Sequence, residues 1–312
     1  MSHPRTSLVI PSRGGAERLP VLFEALRAQT DADWEAIVVI DGDIDGSEAV
    51  VARYRDDLPV RPVVFPENRG RSAALNAGFE AARGTVLVRC DDDLEPAPDY
   101  VSGHAARHSG DPVGVVGLYR NVFPPTPYSR AYGVDRDVAF RRSAYEAAPS
   151  DAWRFWAGNV SVTRESFDRI GGYDTGFRAY GWEDVDWGYR LHTSGVPVEL
   201  APELETVHHA AAATTRIRVL RAYHSGAARH RFEDKHGLHA LEAPASSHSP
   251  WDLLVSATGA ISSSGMLARA AAGADAVADR LPRYVSEKLI SLLVESAART
   301  GYRRPSEVST AF

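Results

Sequence analysis

The sequence predicts an α/β protein, with a mostly parallel sheet flanked by helices and a helical region at the C-terminus. Three observations predict it. Short apolar runs recur through the first ninety residues, and each is followed by apolar positions at helical spacing. The runs are continuous, as strands buried on both faces by crossover helices must be. From about residue 215 the composition shifts to Ala, Arg and Ser with helical periodicity throughout.

In order, SLVIP (7–11) is a strand, followed by a helix carrying Leu19, Leu22, Phe23 and Leu26. EAIVVID (35–41) precedes a helix from about Ser47, RPVVF (61–65) precedes one from about Ser72, and TVLVRC (85–90) runs into three carboxylates. In such a sheet the loops after the strands' carboxyl ends form the ligand crevice. Residues 11–15, 41–45, 68–71 and 91–93 all fall on that edge. VGVVGLY (113–119) is strand-like, and a Pro- and aromatic-rich stretch follows to about 153. GNVSVTR makes a further strand, leading into a short helix that ends at Ile170. The C-terminal helices include Ile217, Leu220 and Tyr223, then Leu289, Leu292 and Leu293, with an Ala/Pro/Ser/His linker at 243–250.

Composition narrows the classes. The 312 residues are 44% hydrophobic and 24% charged with a net charge of −6, enough apolar surface for a sizeable core. Scattered arginines in a mildly acidic chain lack the basic footprint of a nucleic-acid partner. No run approaches the about 20 apolar residues of a membrane span, and the N-terminus has no signal-peptide architecture, so the expected location is cytoplasmic. The lone Cys90 excludes a disulfide framework and a multi-cysteine zinc site.

Four segments carry chemistry. In VLVRCDDDLEP an apolar strand ends in three carboxylates, which repel unless solvated or neutralised by a cation. A hard divalent metal such as Mg²⁺ or Mn²⁺ suits such oxygens and keeps positions for substrate phosphates; a solvated acidic turn is the alternative. In GWEDVDWGYRL (181–191), Glu183, Asp184 and Asp186 open a helix. Acidic residues there complement the helix dipole, yet after the Gly-rich GGYDTGFRAYG one could serve a hydroxyl as general base. His208 and His209 follow extended segments, and one of them could complete a metal site begun by the aspartates. PENRGRSAALNAG sets Gly70 and Arg71 at a strand-to-helix turn able to meet phosphate, although it is neither a P-loop nor GxGxxG.

Over roughly residues 6–212 these pieces, in this order, resemble the family 2 glycosyltransferases of the GT-A fold. The features that carry the resemblance are SLVIPSR, IVVIDGDIDGS, ENRGRSAALNAGFEAARG, the DxD-type VRCDDDLEP, GNVSVTRESFDRIGGYDTGF and the ED-type GWEDVDWGYRL. It implies a catalytic domain over 1–212 and a separate helical region over 213–312. Pro11, Ser12 and Asp41 match nucleoside-binding positions, with Arg13, Asp43 and Arg71 nearby. Asp91 and Asp92 would reach ribose or donor sugar, and Asp93 with His208 would hold Mn²⁺ or Mg²⁺, His209 being the second choice. Asp184 matches the family's base, which implies inverting transfer from a nucleotide-diphosphate sugar, a UDP-sugar by the family pattern, to an acceptor hydroxyl. Trp182, Glu183, Gly158, Asn159 and Trp156 would line the acceptor or donor-sugar pocket, and Trp153 and Phe155 offer further flat faces.

The sequence departs from the family pattern at three places. The usual acidic pair is Asp41-Gly42-Asp43, so Asp43 either substitutes for the second carboxylate or caps the turn; Leu75-Asn76 stands where Arg-Asn is frequent; and Arg13 stands where small residues are usual. The rival activities are a nucleotidyltransferase, disfavoured because PSRGGAER contains no lysine, and a non-catalytic sugar- or nucleotide-binding module. The C-terminal region is expected to be a cap, a homodimer contact or an amphipathic platform. In the last case Arg216, Arg218, Arg221, Arg229 and Arg231 would supply a basic face for a lipid-linked or polymeric acceptor, with peripheral contact at the inner face of the membrane; the acceptor itself is expected to be a glycan, a lipid-linked or a small-molecule compound.

Overall fold

A computed structural model describes residues 3–178, 181–241 and 249–307. The chain divides into two compact units. The first comprises Met1–Val122, Arg141–Gly176 and Glu183–Ala210, and the second Phe123–Phe140, Phe177–Trp182 and Ala211–Phe312.

The first unit is built on a seven-stranded sheet. Strands β1 (Thr6–Ser12), β2 (Trp34–Asp41), β3 (Val60–Phe65) and β4 (Val86–Cys90) are the four apolar runs of the sequence, mutually parallel. They are linked by α1 (Leu19–Arg27), α2 (Ser47–Tyr54) and α3 (Arg71–Ala81). β5 (Leu94–Glu95) leads to α4 (Tyr100–Ala106), then β6 (Gly114–Val116), β7 (Tyr119–Asn121), the second half of α5 (Val134–Glu146), β8 (Asn159–Thr163) and α6 (Arg164–Ile170). α7 (Trp182–Thr193), β9 (Val198–Leu200) and β10 (Thr206–His208) complete it. The sheet order is β3-β2-β1-β4-β8-β6-β9, with β8 antiparallel to both its neighbours. Leu8, Ile10, Val38, Ile40 and Val88 bury one face against Leu22, Phe23 and Leu26 of α1.

Two local breaks shape the functional edge. β1 stays paired with β2 through Ser12, but its pairing with β4 ends at Val9↔Arg89. Pro11 has no N–H to offer a second neighbour, so a central strand can carry it only where the ladder opens. The run 113–119 is not one strand: β6 joins the large sheet, whereas β7 joins a three-stranded sheet ordered β5-β10-β7. The chain switches sheets at Gly117 and Leu118, where the Gly117 N–H donates to the Asn159 carbonyl at 3.0 Å. This switch sets His208 opposite Leu94 on one side and Asn121 on the other.

The second unit is helical: α8 (Thr215–His236), α9 (Pro250–Ile261), α10 (Ser264–Val277) and α11 (Arg283–Arg303). A Cβ on Gly226 would lie 2.0 Å from the Ala298 carbonyl, and one on Gly301 1.8 Å from the Tyr223 carbonyl. The reciprocal glycines let the backbones of α8 and α11 meet closely. Residues 123–140, which the sequence assigns to the catalytic domain, belong here because Tyr128, Ala131 and Tyr132 bury their apolar surface with Val219, Tyr223 and Ile290. The expected linker at 243–250 lies outside the described residues up to 248, and Pro250 already begins α9. No described helix is long and apolar enough to cross a membrane.

Candidate active site

The three carboxylates after β4 take three different partners. Asp92 accepts from the Ser12 hydroxyl at 2.6 Å and pairs with Arg18 at 2.8 Å. Burial pushes its carboxyl up, against the pull of Arg18. Its oxygens thus tie the loop after β1 to the end of β4. Asp91 folds back on its own strand, where Arg89 Nε donates to it at 2.9 Å. It is held below the usual carboxylate range because Arg89 and Arg71 outweigh its burial. Gly158 is required here: a Cβ would fall 2.1 Å from Asp91 Oδ2 and 2.3 Å from the Tyr119 hydroxyl. Asp93 points to His208, with Oδ2 3.3 Å from Nε2.

Arg89 is the residue that sequence reasoning missed. Its side chain is wholly buried and forms ion pairs with both Asp91 and Asp184, ninety-five residues away in sequence. Burial opposes its charge, but Asp184 and Asp91 outweigh that and fix it as guanidinium. The visible signal was an arginine inside an otherwise apolar strand, since a cation in a two-sided buried strand must find a carboxylate. Through Arg89 the two acidic motifs become one cluster.

Asp184 sits in the first turn of α7, buried beside Glu183. Burial, the facing Arg89 and the like charge of Glu183 act together, and the net effect pushes its carboxyl up to about 7. Oδ1 meets Arg89, and Oδ2 accepts no hydrogen bond among the described residues. Glu183 lies 3.5 Å from Arg71, which joins that arginine to the cluster. Asp186, the third acidic residue of the motif, is fully buried and pairs with Arg190 at 3.0 Å one turn on, a structural contact.

The residues present fit a divalent cation. His208 Nδ1 lies 2.5 Å from Asn121 Oδ1, which can only accept, so Nδ1 carries a proton and Nε2 is the nitrogen that faces Asp93. Nε2 and the Asp93 carboxylate, 3.3 Å apart, are both donors suited to a cation placed between them. Asp93 Oδ1 is buried without a hydrogen-bond partner among the described residues, and Tyr119 stacks on the imidazole at 4.7 Å to fix its plane. An imidazole held by its second nitrogen is the usual arrangement of a metal-ligating histidine. No group of three or more His, Cys, Asp or Glu that could hold a metal ion is found among the described residues; Asp93 and His208 form a pair. His209 points the other way, to Glu95 at 2.7 Å.

Other expected residues take defined places. The Asp41 carboxylate accepts from the backbone N–H groups of Arg69 at 2.6 Å and Gly70 at 2.9 Å, holding the loop before α3. Arg13 donates to the Asp41 carbonyl at 2.7 Å. Asp43 is a cap: its oxygens accept from the backbone of Gly46, Ser47 and Glu48 at the start of α2, and no part of the geometry directs it to a nucleotide.

Trp156 and Asn159 are corrections to the expected sugar pocket. Trp156 is buried, stacked on Trp187 at 4.9 Å, and its indole N–H donates to the Tyr173 hydroxyl. Asn159 is fully buried, donates to the Leu204 carbonyl and to Thr206, and meets His104. Trp153 is likewise a core residue, whereas Phe155 is half-buried. Trp182 belongs to the second unit, where its indole N–H donates to Ser225 at 3.0 Å and its ring helps line a cavity of about 810 Å³.

Comparison with known proteins gives a consistent picture. The family model described as glycosyl transferase family 2 matches residues 7–171, and one described as the N-terminal domain of galactosyltransferase matches 139–212. Validoxylamine A glucosyltransferase of Streptomyces hygroscopicus is 31% identical over 229 residues, covering 64% of this chain and 54% of that protein. An undecaprenyl-phosphate 4-deoxy-4-formamido-L-arabinose transferase of Pseudomonas fluorescens is 32% identical over 179 residues, covering 56% and 46%. The chain thus spans about half the length of the curated relatives it matches. Among solved structures, the mannosyltransferase PcManGT of Pyrobaculum calidifontis, in complex with GDP-Man and Mn²⁺, aligns with a TM-score of 0.64 at 22% identity, over 97% of this chain and 89% of that one. S. aureus TarS 1–349 with UDP-GlcNAc aligns with a TM-score of 0.55 at 12% identity, over 97% and 92%. Both likenesses are of fold, which is GT-A.

Proposed function

The chain belongs to glycosyltransferase family 2, whose model matches just over half of it, and from that premise we propose that it is a metal-dependent, inverting glycosyltransferase. The donor is a nucleotide-diphosphate sugar, a UDP-sugar by the family pattern at Asp41. The acceptor is a hydroxyl of a glycan, a lipid-linked or a small-molecule compound. The observation that carries this is the Asp91–Arg89–Asp184 bridge, which joins the DxD-type and ED-type motifs in one buried cluster.

In the proposed reaction Asp184 Oδ2 takes the proton of the acceptor hydroxyl as that oxygen forms a bond to the anomeric carbon. The bond from that carbon to the diphosphate breaks on the opposite face, and the leaving oxygen keeps the electron pair. One displacement inverts the anomeric centre. A carboxyl pushed up to about 7 is a base matched to neutral pH, and activity should rise as pH passes through that value. Asp93 and His208 would hold Mn²⁺ or Mg²⁺, whose Lewis acidity neutralises charge on the departing diphosphate. Asp91, fixed by Arg89, is proposed to face the ribose or donor sugar, with Arg71 and Glu183 beside it.

The test is nucleotide release from UDP-, GDP- and dTDP-sugars with Mn²⁺ or Mg²⁺, repeated with chelator, with Asp93→Ala and with Asp184→Asn. Metal-dependent release from one donor, lost in both variants, is expected. Nucleotide-sugar binding with unchanged biological activity in Asp184→Asn would instead favour a binding module. Release of pyrophosphate from a nucleoside triphosphate would favour a nucleotidyltransferase.

A further inference from the structure

The outer surface of α9 and α10 is unlike the rest of the molecule. Between residues 250 and 277 every exposed side chain is apolar or absent except Arg269. On α9, Leu253, Leu254, Ala257 and Ile261 are spaced to share one stripe, and Leu253 is 65% and Ile261 78% exposed. The opposite face is engaged: Val255 and Gly259 are buried, and Asp252 pairs with Arg299 of α11 at 3.1 Å. Met266 and Val277 are exposed apolar residues of α10, which packs on α8 and α11. Single exposed apolar residues need no explanation, but helices whose whole outward sides are apolar mark an interaction surface.

Charge selects the occupant. The exposed cations on and beside these helices include Arg269, Arg280, Lys288 and Arg303, the last donating to the Ser256 carbonyl of α9 at 3.2 Å; Arg269 makes no ion pair among the described residues, and Lys288 lies over the rings of Trp251 at 5.2 Å and Tyr284 at 5.6 Å. The nearby carboxylates are engaged: Asp279 pairs with Arg130 at 2.6 Å, and Glu295 accepts from the Trp251 indole at 2.9 Å. A second copy of the same face would bring no carboxylate to Arg269, leaving a guanidinium buried and unpaired. A lipid surface supplies phosphate for the cations, hydrocarbon for the leucines and a headgroup layer for Trp251 and Tyr284. The arginines of α8, which the sequence offered for this role, are partly committed elsewhere, Arg229 to Glu233 at 2.7 Å and Arg231 to the ring of Phe177 at 5.2 Å.

We propose that the C-terminal unit docks peripherally on an anionic lipid surface through the outward face of α9 and α10. The experiment is co-sedimentation of the full chain with vesicles of phosphatidylcholine alone or mixed with phosphatidylglycerol. Binding to the mixed vesicles that weakens with salt is expected. Leu253→Glu with Leu254→Glu should reduce it about a hundredfold, since each leucine's burial is worth about a factor of ten. Arg269→Glu should reduce binding to the anionic vesicles while leaving the apolar stripe intact. Because these residues are exposed, the variants should keep the parent melting temperature, and that measurement separates lost docking from lost folding. No binding to mixed vesicles, or equal binding by parent and leucine variants, overturns the proposal. So does a concentration-dependent dimer abolished by the leucine variants, which would assign the face to a second copy.

Discussion

Gly158 and Asn159 are neighbours in sequence, yet they serve two buried polar clusters of the first unit with opposite chemistry. Gly158 makes room for Asp91, part of a cluster of full charges: Arg89 between Asp91 and Asp184, and Arg71 with Glu183. Asn159 belongs to a neutral chain. Its Oδ1 only accepts, so the His104 Nε2 at 3.0 Å carries the proton, and His104 Nδ1 accepts from the Ser161 hydroxyl at 2.8 Å. Ser161 in turn lies 2.7 Å from His108 Nε2. Burial holds both imidazoles neutral, pushing His104 down to about 3 and His108 to about 4. The neutral chain spends its hydrogen bonds inside the fold and, among the described residues, leaves over only the lone pair of His108 Nδ1. The charged cluster and the adjoining Asp93 keep carboxylate oxygens in reserve, Asp184 Oδ2 and Asp93 Oδ1. A buried polar group that is fully used fixes geometry; one with spare anionic valence is set for a ligand.

The sharpest way to break this contrast is to neutralise one member of each cluster. Asp184→Asn keeps an acceptor for Arg89 but cannot take a proton, so kcat should fall by about 10²- to 10⁴-fold with little change in melting temperature. Asn159→Ala should do the reverse. It strands His104 and the Leu204 carbonyl, at a cost of about 2–4 kcal/mol by urea denaturation, while kcat per folded molecule stays near the parent value. If both variants lost activity alike, the division between site and scaffold would be wrong.

Arg89 tests whether the two acidic motifs are held as one unit. Arg89→Met leaves Asp91 and Asp184 buried without their shared cation, and the expected loss is about 3–5 kcal/mol of stability, seen as a lower urea midpoint. The triple variant that also carries Asp91→Asn and Asp184→Asn should recover most of that loss, because the stranded charges are gone. Failure to recover would mean that Arg89 acts by packing alone.

Asn121 sits at the margin of the comparison, a neutral residue serving the charged side. Asn121→Ala frees the His208 ring to rotate and removes the acceptor that fixes its proton on Nδ1. The Mn²⁺ concentration giving half-maximal nucleotide release should rise about 10- to 100-fold while maximal activity at saturating metal is kept. An unchanged metal requirement would remove His208 from the metal site.

The sequence made the scaffold legible because continuous apolar runs and helical spacing report burial directly, and β1 to β4 are those runs. Pro11 even marked where the central ladder opens, once its missing donor is taken seriously. The site was legible only in its acidic ends. Arg89 was hidden because one cation in TVLVRC does not disturb an apolar pattern, and its partners lie on a distant helix. Asn159 and Trp156 were misplaced because an amide or indole suits a sugar or a core equally well, and only their pairing partners decide. Residues 123–140 fall in the second unit, although the sequence placed them in the first, for a related reason: an aromatic-rich stretch shows apolar surface without naming what buries it.

The smallest effect is a difference in slope. Unfolded imidazoles protonate below about 6.5, whereas His104 and His108 stay neutral in the folded chain to about 3 and about 4. The stability they lend is therefore full above about pH 6.5 and is lost as pH falls, at up to about 1.4 kcal/mol per pH unit for each. Asp184 acts with the opposite sign, since its folded carboxyl, raised to about 7, keeps a proton that the unfolded chain has released. Acidification between about pH 6.5 and 5, above the range of ordinary carboxylates, therefore separates the two clusters. His108→Gln, which can still donate to Ser161, should flatten the decline in urea midpoint over that interval, and Asp184→Asn should steepen it by a similar amount. Shifts of the same sign in both variants would show that one of the two clusters does not hold the protonation state its surroundings dictate.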